Sequence, residues 1–362
     1  MIKLLSKLRW IFINSVSYLR YNTSPSPKNH SKIVFFDLSG NNFHRYLGLL
    51  LIFFQKQGYH INIKPNLNFW GTWSTSLLFT FHIPFKITFL QPREFTIGFT
   101  DKLFLKDHRF LLLDDDYFNP TLKAFFHIPM TMVDTIYVKG YDEKEYEYNV
   151  LEERRIKAFF AGRFSVSDYN RPLLKEKFGV LTREEIKRII LEEFEQYVNT
   201  PFSEKDLFNQ KKYNIVVVNR DNYNVPTEKI REILSQCNFF IALPGVVMPL
   251  CHNIVEAMSA GAIPVLQYAD WFHPQLSNNI NCIQFNDKAE LFDAIENLLT
   301  MEEKDIIKMR KAVFDFYNEF LTPESVVSRL EHIQKQQNEI SKIYLNAEYF
   351  SVLKKKKHFF DE

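Results

Sequence analysis

The densest group of side chains that could do chemistry lies in residues 237–285. It joins a glycine, a histidine, an asparagine and a glutamate: Gly245, His252, Asn253 and Glu256. Glu256 falls one helical turn after His252, on the same face of a helix. The start of such a helix offers unpaired backbone N–H groups to an anion, and a preceding glycine lets the backbone approach a ligand closely. The group therefore predicts a site for a phosphate-bearing ligand.

The elements that must position this group alternate between strand and helix. An apolar strand is predicted for residues 239–243, a helix for 252–260 and a second apolar strand for 263–266. The alternation extends over residues 157–299, as a parallel sheet requires, because parallel strands need crossover connections. Ligands bind such sheets at the carboxyl ends of the strands, which is where the group lies.

Two further elements of this domain are predicted from local signals. The capping-box pattern Thr182-x-x-Glu185 predicts the start of a long helix that continues to about Val198. The apolar run 213–219 predicts a buried strand.

The sequence of this stretch also resembles a known motif. The run P-G, followed by H-N-x-x-E-A-x-x-x-G-A-I-P-V, resembles the donor-sugar motif of GT-B glycosyltransferases, most closely that of exostosin-like and related bacterial surface-polysaccharide enzymes. The resemblance is firm over 237–285, looser over 157–236 and only architectural before that. It implies that His252 and Asn253 face the diphosphate of a nucleotide sugar and that Glu256 holds the ribose hydroxyls. Exostosin-type sequences often carry an arginine near the start of this helix, where this chain has His252.

Each of these roles has a structural alternative. Asn253 could be only the N-cap of its helix, which would still place it beside the phosphates. His252 suits general electrostatics, a sugar contact or a cap. Glu256 in isolation would be interpreted as an exposed helix carboxylate. The flanking Pro244-Gly245 and Gly261-x-x-Pro264 favour ribose binding instead.

Two arginines near the start of the second domain suit a diphosphate, because a guanidinium is planar, permanently charged and bidentate. Arg163 follows an apolar strand predicted for residues 156–161, and Arg171 leads into a helix. This arrangement resembles the first strand and loop of a GT-B donor domain. We expect at least one of the two to bind phosphate; the alternative is an ion pair with surface carboxylates.

An earlier strand–helix–strand unit begins a first Rossmann-like domain. Strand 32–38 leads through Ser39-Gly40 into a helix predicted for 44–57. The resemblance implies that this domain binds the acceptor and supplies a general base, which an inverting transfer needs. The candidates for that base are His44, Asp37 and Asp115. His44 is preferred because it follows the Gly40 loop, and a structural role is the alternative for all three.

Three consecutive aspartates, Asp114–Asp116, end the apolar run 109–113. Clustered carboxylates can hold Mg²⁺ or Mn²⁺, because hard cations prefer oxygen ligands. A metal-dependent GT-A transferase built on this cluster is therefore the main rival interpretation. Aspartate-rich turns at strand ends are commoner than metal sites, so we predict no metal ligand and no required cofactor. A nucleoside-diphosphate sugar is the expected co-substrate.

The stereochemical outcome is suggested by a missing pair of glutamates. Retaining GT-B enzymes often carry an E-x7-E pair, but the position that would pair with Glu256 holds Met248. This absence favours inversion, as does the exostosin resemblance.

Composition limits the class of protein. The chain has 362 residues, 46% of them hydrophobic, and a formal net charge of +2, which suits two domains with their own cores. The near-neutral charge argues against nucleic acid as a partner. Its three cysteines lack C-x-x-C spacing, so neither a disulfide framework nor a zinc site is predicted and a cytoplasmic protein is expected. A non-catalytic glycan- or nucleotide-binding module remains the alternative from another functional class.

Residues 1–30 contain no acidic residue and five basic ones: Lys3, Lys7, Arg9, Arg20 and Lys28. An amphipathic helix here is too short and interrupted to span a bilayer. It would either lie on an anionic membrane surface or pack on the body of the protein. The lysine run 354–357 is either a solvated tail or a second basic segment that assists such docking. We therefore expect peripheral contact with the inner face of a membrane through residues 1–20 and 354–357.

These observations predict an α/β protein of the GT-B type, with two Rossmann-like doubly wound domains facing each other across a cleft. The expected segments are a leader and linker (1–30), an acceptor domain (31–150), a nucleotide-sugar domain (151–300) and helices that brace the first domain, with a basic tail (301–362). The expected activity is sugar transfer to a glycan or glycolipid hydroxyl, inverting and metal-independent. Its expected setting is surface polysaccharide or lipopolysaccharide synthesis.

Overall fold

Apolar runs of the sequence form the strands of two parallel sheets. The computed structural model describes residues 2–21, 32–40, 44–72, 75, 77–80, 82–102, 107–114, 125–143, 152–164, 175–176, 178–209, 212–245, 248–336 and 341–345. The chain divides into two compact units. The first comprises Met1–Pro129 and Thr322–Glu348, and the second is built on Met130–Leu321.

Among the described residues, the first unit contains a seven-stranded sheet. Its strands, numbered in chain order along the whole protein, are Ile33–Leu38 (β1), His60–Pro65 (β2), Lys86–Ile87 (β3), Ile97–Thr100 (β4), Phe110–Asp114 (β5), Phe125–His127 (β6) and Lys342–Tyr344 (β13). Their order is β3-β2-β1-β4-β5-β13-β6, and every neighbouring pair is parallel. The described helices of this unit are Ile2–Tyr21, His44–Lys56, Leu67–Trp70, Leu77–Thr80 and Pro323–Gln336.

In the part of the second unit that the structure describes, the strands form a six-stranded sheet. Its strands are Ile156–Gly162 (β7), Val198–Asn199 (β8), Tyr213–Asn219 (β9), Cys237–Ile241 (β10), Ile263–Leu266 (β11) and Ile283–Gln284 (β12). Their order is β12-β11-β10-β7-β9-β8, again entirely parallel. The described helices are Asp134–Val138, Arg183–Glu193, Glu204–Leu207, Thr227–Leu234, His252–Ser259, Lys288–Thr300 and Glu303–Phe320, with 3₁₀ turns at Glu195–Tyr197 and Ala269–Trp271. The predicted α/β class with two Rossmann-like units is confirmed.

The central strands carry fully buried side chains because both faces of a parallel sheet are covered. Cys237–Ile241 is buried at every position, as is Ile263–Leu266. In the first unit, the helix His44–Lys56 buries Leu47, Phe53 and Phe54 and is followed by Gly58, whose φ of +73° favours glycine.

The unit limits differ from the predicted domain limits at both connections. Met130–Gly140 belongs to the second unit although residues 31–150 were expected to form one domain. The helix Glu303–Phe320 also belongs to the second unit, whereas the helix Pro323–Gln336 belongs to the first unit, where it packs against His44–Lys56. Met130–Val133 stays with the second unit because its backbone is bonded to a helix there, as described below.

One helix end was predicted wrongly. The capping box at Thr182 is present: the Thr182 hydroxyl accepts from the Glu185 N–H at 3.2 Å, and the Glu185 carboxylate accepts from the Thr182 N–H at 2.7 Å. The helix was expected to continue to Val198, but it ends at Glu193. Val198 and Asn199 instead pair with β9 as an edge strand. Pairing with β9 satisfies the backbone hydrogen-bonding groups of these two residues. Local periodicity could not predict this pairing, because it joins segments that are distant in the sequence.

The N-terminal helix Ile2–Tyr21 packs on the first unit, one of the two alternatives that the sequence left open. The Asn14 amide, fully buried, donates to the Trp70 carbonyl at 2.7 Å and to the Thr72 carbonyl at 3.1 Å. Within the described ranges, no helix has the length and apolar character needed to cross a membrane. The basic run 354–357 lies outside the described residues.

Candidate functional site

The carboxyl ends of β7 and β10 mark the point where the strand order of the second sheet reverses. From β7, the sheet continues to β9 and β8 on one side and to β10, β11 and β12 on the other. Phe159 of β7 is paired with Phe240 of β10, so continuing this register places Arg163 level with Pro244. Ligands of open α/β sheets bind at such a reversal, outside the strand ends.

A buried arginine links the two loops at this point. The Arg183 guanidinium donates to the Pro244 carbonyl from Nε (3.2 Å) and Nη2 (2.8 Å), and to the Arg163 carbonyl from Nη1 (2.9 Å). Arg183 is 4% exposed, so a permanent positive charge is buried beside both strand ends.

Arg183 was not among the site residues predicted from the sequence, although its position carries a signal. It follows the N-cap Thr182 directly and is the first residue of its helix. A cation there is unfavourable because the helix N-terminus already carries partial positive charge. An arginine at this position must therefore be stabilised by other interactions, and its three hydrogen bonds to loop carbonyls provide that stabilisation.

The Gly245 loop requires glycine for its own packing. The Gly245 N–H donates to the Pro249 carbonyl at 3.2 Å. A Cβ at Gly245 would lie 2.5 Å from the Met248 carbonyl oxygen and 3.0 Å from the Cys251 Sγ. Gly245 is therefore packed closely against residues 248–251, which precede the next helix. Close approach of a ligand to Gly245 stays a prediction.

The helix His252–Ser259, which we call the motif helix, begins directly after this loop. Its N-cap is Cys251, in extended backbone conformation and without a side-chain cap bond. Asn253 is therefore the second helical residue, and the alternative that it is the N-cap is wrong. Its side-chain Oδ1 is buried and has no hydrogen-bond partner among the described residues. A buried acceptor without a partner is costly, and a rotation of the Asn253 side chain that brings this atom to the donor group of a ligand would remove that cost.

The segment Met130–Val133 lies along the motif helix and is held by both side chains of the predicted His–Glu face. The His252 Nδ1 lies 2.8 Å from the Thr131 carbonyl oxygen, which can only accept, so Nδ1 carries the proton. The Val133 N–H donates to Glu256 Oε1 at 3.2 Å. The prediction that His252 and Glu256 share a face is confirmed. No local sequence pattern predicted that backbone from residues 131–133 would cover that face.

Glu256 is a buried carboxyl, 6% exposed, and not the exposed helix carboxylate of the alternative interpretation. Burial raises its pKa from 4.5 to about 7; the Val133 N–H and the positive charge of Arg231 act in the opposite direction but more weakly. The side chain therefore exchanges a proton near neutral pH and accepts a hydrogen bond in its ionised form.

The two predicted phosphate-binding arginines have different outcomes. Arg163 lies at the carboxyl end of β7, about half exposed, with its Nε 3.9 Å from the Asp221 carboxylate. An exposed pair at that distance contributes little, so the side chain can turn towards a ligand at small cost. Arg171 lies outside the described residues.

In the first unit, Asp37 lies near the carboxyl end of β1 and is bonded by two lysines. Lys64 Nζ is 3.4 Å from one carboxylate oxygen, and Lys102 Nζ bonds the other. The nearby Asp101 accepts from the backbone N–H groups of Ser39 (2.6 Å) and Gly40 (3.0 Å). This carboxylate therefore fixes the backbone of Ser39 and Gly40, which precede the base candidate His44 in the sequence.

The remaining base and metal candidates are only partly described. His44 is the first residue of the helix His44–Lys56. Asp114 ends β5 and is paired with Lys342 at 2.8 Å, whereas Asp115 and Asp116 lie outside the described residues. Within the part of the chain that the structure describes, no group of three or more histidine, cysteine or acidic side chains is arranged to hold a metal ion.

Comparison with known proteins finds only remote structural likenesses. No family model and no curated protein matches the chain. Among solved structures, it is similar to Alr3699/HepE of Anabaena in complex with UDP and glucose, with 10% identity and a TM-score of 0.40, covering 84% of this chain and 100% of that one. It is also similar to MurG of Acinetobacter baumannii, with 12% identity and a TM-score of 0.39, covering 84% and 100%. A third is a glycosyltransferase from Rickettsia africae, with 11% identity and a TM-score of 0.36, covering 84% and 98%.

Proposed function

We propose that this protein is a glycosyltransferase that moves a sugar from a nucleoside-diphosphate sugar to a hydroxyl of a glycan or glycolipid. The nucleotide would bind at the carboxyl edge of the second unit's sheet. Three features support this site: the strand-order reversal at β7 and β10, the start of the motif helix and the buried charge of Arg183. Together they offer donors and positive potential to a diphosphate.

The single observation that carries the proposal is the buried Oδ1 of Asn253, which has no partner among the described residues. It lies in the first turn of the motif helix, within the H-N-x-x-E sequence that resembles the donor motif. An acceptor in this position suits a hydroxyl of the nucleotide sugar. In the proposal, His252 beside it contacts a phosphate or the sugar, with its ring oriented by the bond between Nδ1 and the Thr131 carbonyl.

Glu256 is assigned to the ribose hydroxyls. A carboxylate has two oxygens and several lone pairs, and Val133 uses Oε1. In the proposal, Oε2 accepts from the ribose. Binding of hydroxyl donors would favour the ionised form, so nucleotide binding should lower the pKa of Glu256 from its value of about 7.

The reaction requires stabilisation of the leaving diphosphate and removal of the acceptor's proton. In the proposal, the start of the motif helix, together with Arg163 and Arg171, performs the first task without a required metal. A base from the first unit performs the second, with inversion at the sugar. His44 is the preferred base over Asp37, because Asp37 would have to compete with its bonds to Lys64 and Lys102. Asp115 is the third candidate.

The first experiment is a thermal-shift screen with UDP, GDP, CMP and ADP, each with and without EDTA. A ligand that binds only the folded state raises the midpoint, by about 2.7 kcal/mol of stability at a hundredfold excess over Kd. We expect one nucleotide to stabilise the protein regardless of EDTA. Asn253→Ala and Glu256→Ala should abolish the shift, whereas Glu296→Ala, which removes an exposed glutamate of the helix Lys288–Thr300, should leave it unchanged.

The same screen separates the alternatives. Stabilisation that disappears with EDTA would favour a metal-dependent GT-A transferase using Asp114–Asp116. If a nucleotide stabilises the protein but the matching nucleotide sugars are not cleaved when glycan or glycolipid acceptors are present, that combination would favour a binding module. No shift with any nucleotide would refute the proposed donor site. Surface polysaccharide or lipopolysaccharide synthesis is the setting that we propose for the reaction.

A further inference from the structure

The N-terminal helix Ile2–Tyr21 has two faces with different surroundings. One face packs on the first unit through the fully buried Asn14, which donates to the Trp70 and Thr72 carbonyls. The Tyr18 hydroxyl accepts from the Ile87 N–H at 3.1 Å, and the Tyr18 ring meets the Trp70 ring edge-on with centroids 6.2 Å apart. The helix is thus fixed in place by polar and aromatic contacts.

The other face exposes five large apolar side chains. Their exposed fractions are 62% for Leu4, 59% for Leu5, 54% for Leu8, 70% for Phe12 and 66% for Leu19. With 3.6 residues per turn, these positions fall within an arc of about 100°, and Asn14 lies on the other side of the helix. We call these five side chains the leucine face. An apolar stripe of this kind on a fixed helix implies a partner.

Further exposed apolar side chains lie on elements that contact this helix. Leu67 begins the short helix Leu67–Trp70, against which the N-terminal helix packs. Phe89 and Leu90 follow closely after Ile87, the residue bonded to Tyr18. These three side chains are 67%, 85% and 80% exposed. The first unit therefore carries apolar side chains beyond the helix itself.

The charges around the leucine face decide which partner fits it. Residues 1–30 carry five basic side chains and no acidic one. On the helical projection, Arg9 and Arg20 fall beside the edge of the leucine face. A second copy docked through the same face would bring like charges together, which is unfavourable. An anionic lipid surface offers both an apolar interior for leucines and phenylalanine and negative headgroups for the arginines.

We propose that the leucine face inserts into the anionic surface of a membrane while the Asn14 face stays bound to the first unit. The helix then lies in the plane of the interface and attaches the whole first unit to it. This inference stands on residues 2–21 and their contacts and is independent of the transferase proposal.

The test is co-sedimentation of the full-length protein with vesicles of equal parts phosphatidylcholine and phosphatidylglycerol, and with vesicles of phosphatidylcholine alone. Binding should be strong to the first and weak to the second, and salt should weaken it. Leu8→Ser with Phe12→Ser should lower the partition coefficient by about a hundredfold, since each exposed apolar side chain withdrawn from water contributes roughly tenfold or more.

A matched control carries Phe202→Ser with Ile280→Ser. These side chains of the second unit are 64% and 58% exposed, and their replacement should leave vesicle binding unchanged. Leu5→Ser with Leu19→Ser is a second test pair, which keeps the experiment decisive if the first pair lowers the yield of folded protein.

Three results would overturn the proposal. The first is absence of vesicle binding by the wild-type chain, and the second is equal binding by wild type and both test pairs. The third is a dimer in solution that the test pairs dissociate, because a second copy would then cover the leucine face.

Discussion

Replacement of Glu256 by glutamine should change how stability depends on pH. The buried carboxyl has a pKa of about 7 in the folded protein, against an ordinary value of 4.5. Between these values the folded chain retains a proton that the unfolded chain has released, so the free energy of unfolding falls as pH rises and levels off above the folded pKa. At about 1.4 kcal/mol per pH unit, the difference corresponds to about 3 kcal/mol.

Glu256→Gln removes the titration but keeps an amide oxygen that can accept the Val133 N–H. The free energies of unfolding of the variant and the wild type should therefore be more similar in acid than at neutral pH. As the pH rises from about 5 to about 8, the variant should become more stable relative to the wild type by about 3 kcal/mol. Arg231 also contributes charge near this carboxyl, but it is present in both proteins and its effect largely cancels in the comparison.

Hydrogen exchange with mass spectrometry measures this difference in the relevant part of the molecule. Peptides that cover the motif helix report the opening free energy of the second unit. Comparing both proteins at the same pH cancels the intrinsic pH dependence of exchange. Glu296→Gln, which removes an exposed carboxylate, serves as the control and should show a constant difference from the wild type. If Glu256→Gln and the wild type lose protection in parallel as pH rises, the argument from burial is refuted.

Three further outcomes follow from contacts in the two units. Arg183→Met should lower the free energy of unfolding by about 3 kcal/mol, because buried carbonyls lose charged donors, and it should weaken nucleotide binding. Urea unfolding measures the first effect and the thermal-shift assay the second. Unchanged nucleotide binding would exclude a role for the link between Arg183 and Pro244. Asn14→Ala should lower the stability of the N-terminal helix by about 1–3 kcal/mol, because it removes two buried hydrogen bonds. The variant should therefore be cleaved faster by a protease within residues 2–21. Cleavage as slow as that of the wild type would contradict this prediction. In native protein, a thiol reagent should modify Cys251 first, because the other two cysteines are fully buried and burial raises their pKa. Bound nucleotide should slow that reaction, and equal rates with and without it would count against the proposed site.

Local sequence determined the elements around the candidate site. Apolar runs predicted β7, β9, β10 and β11, and Thr182 with Glu185 predicted the start of a helix. Each of these signals depends on neighbours a few residues apart, such as a strand's apolar run or the reciprocal bonds of a capping box. The spacing of His252 and Glu256 likewise placed them on one face, as the structure has them.

Tertiary structure alone decided what those elements contact. The sequence did not reveal that Arg183 would join the loops after β7 and β10, or that Thr131 and Val133 would cover the His252–Glu256 face. It also did not indicate that Lys342–Tyr344 would enter the first sheet between β5 and β6. These contacts join residues far apart in the chain, and they depend on strand order and on which faces pack together. Local periodicity specifies which side of a helix or strand is apolar, but the partner of that side is selected only when the whole chain has folded.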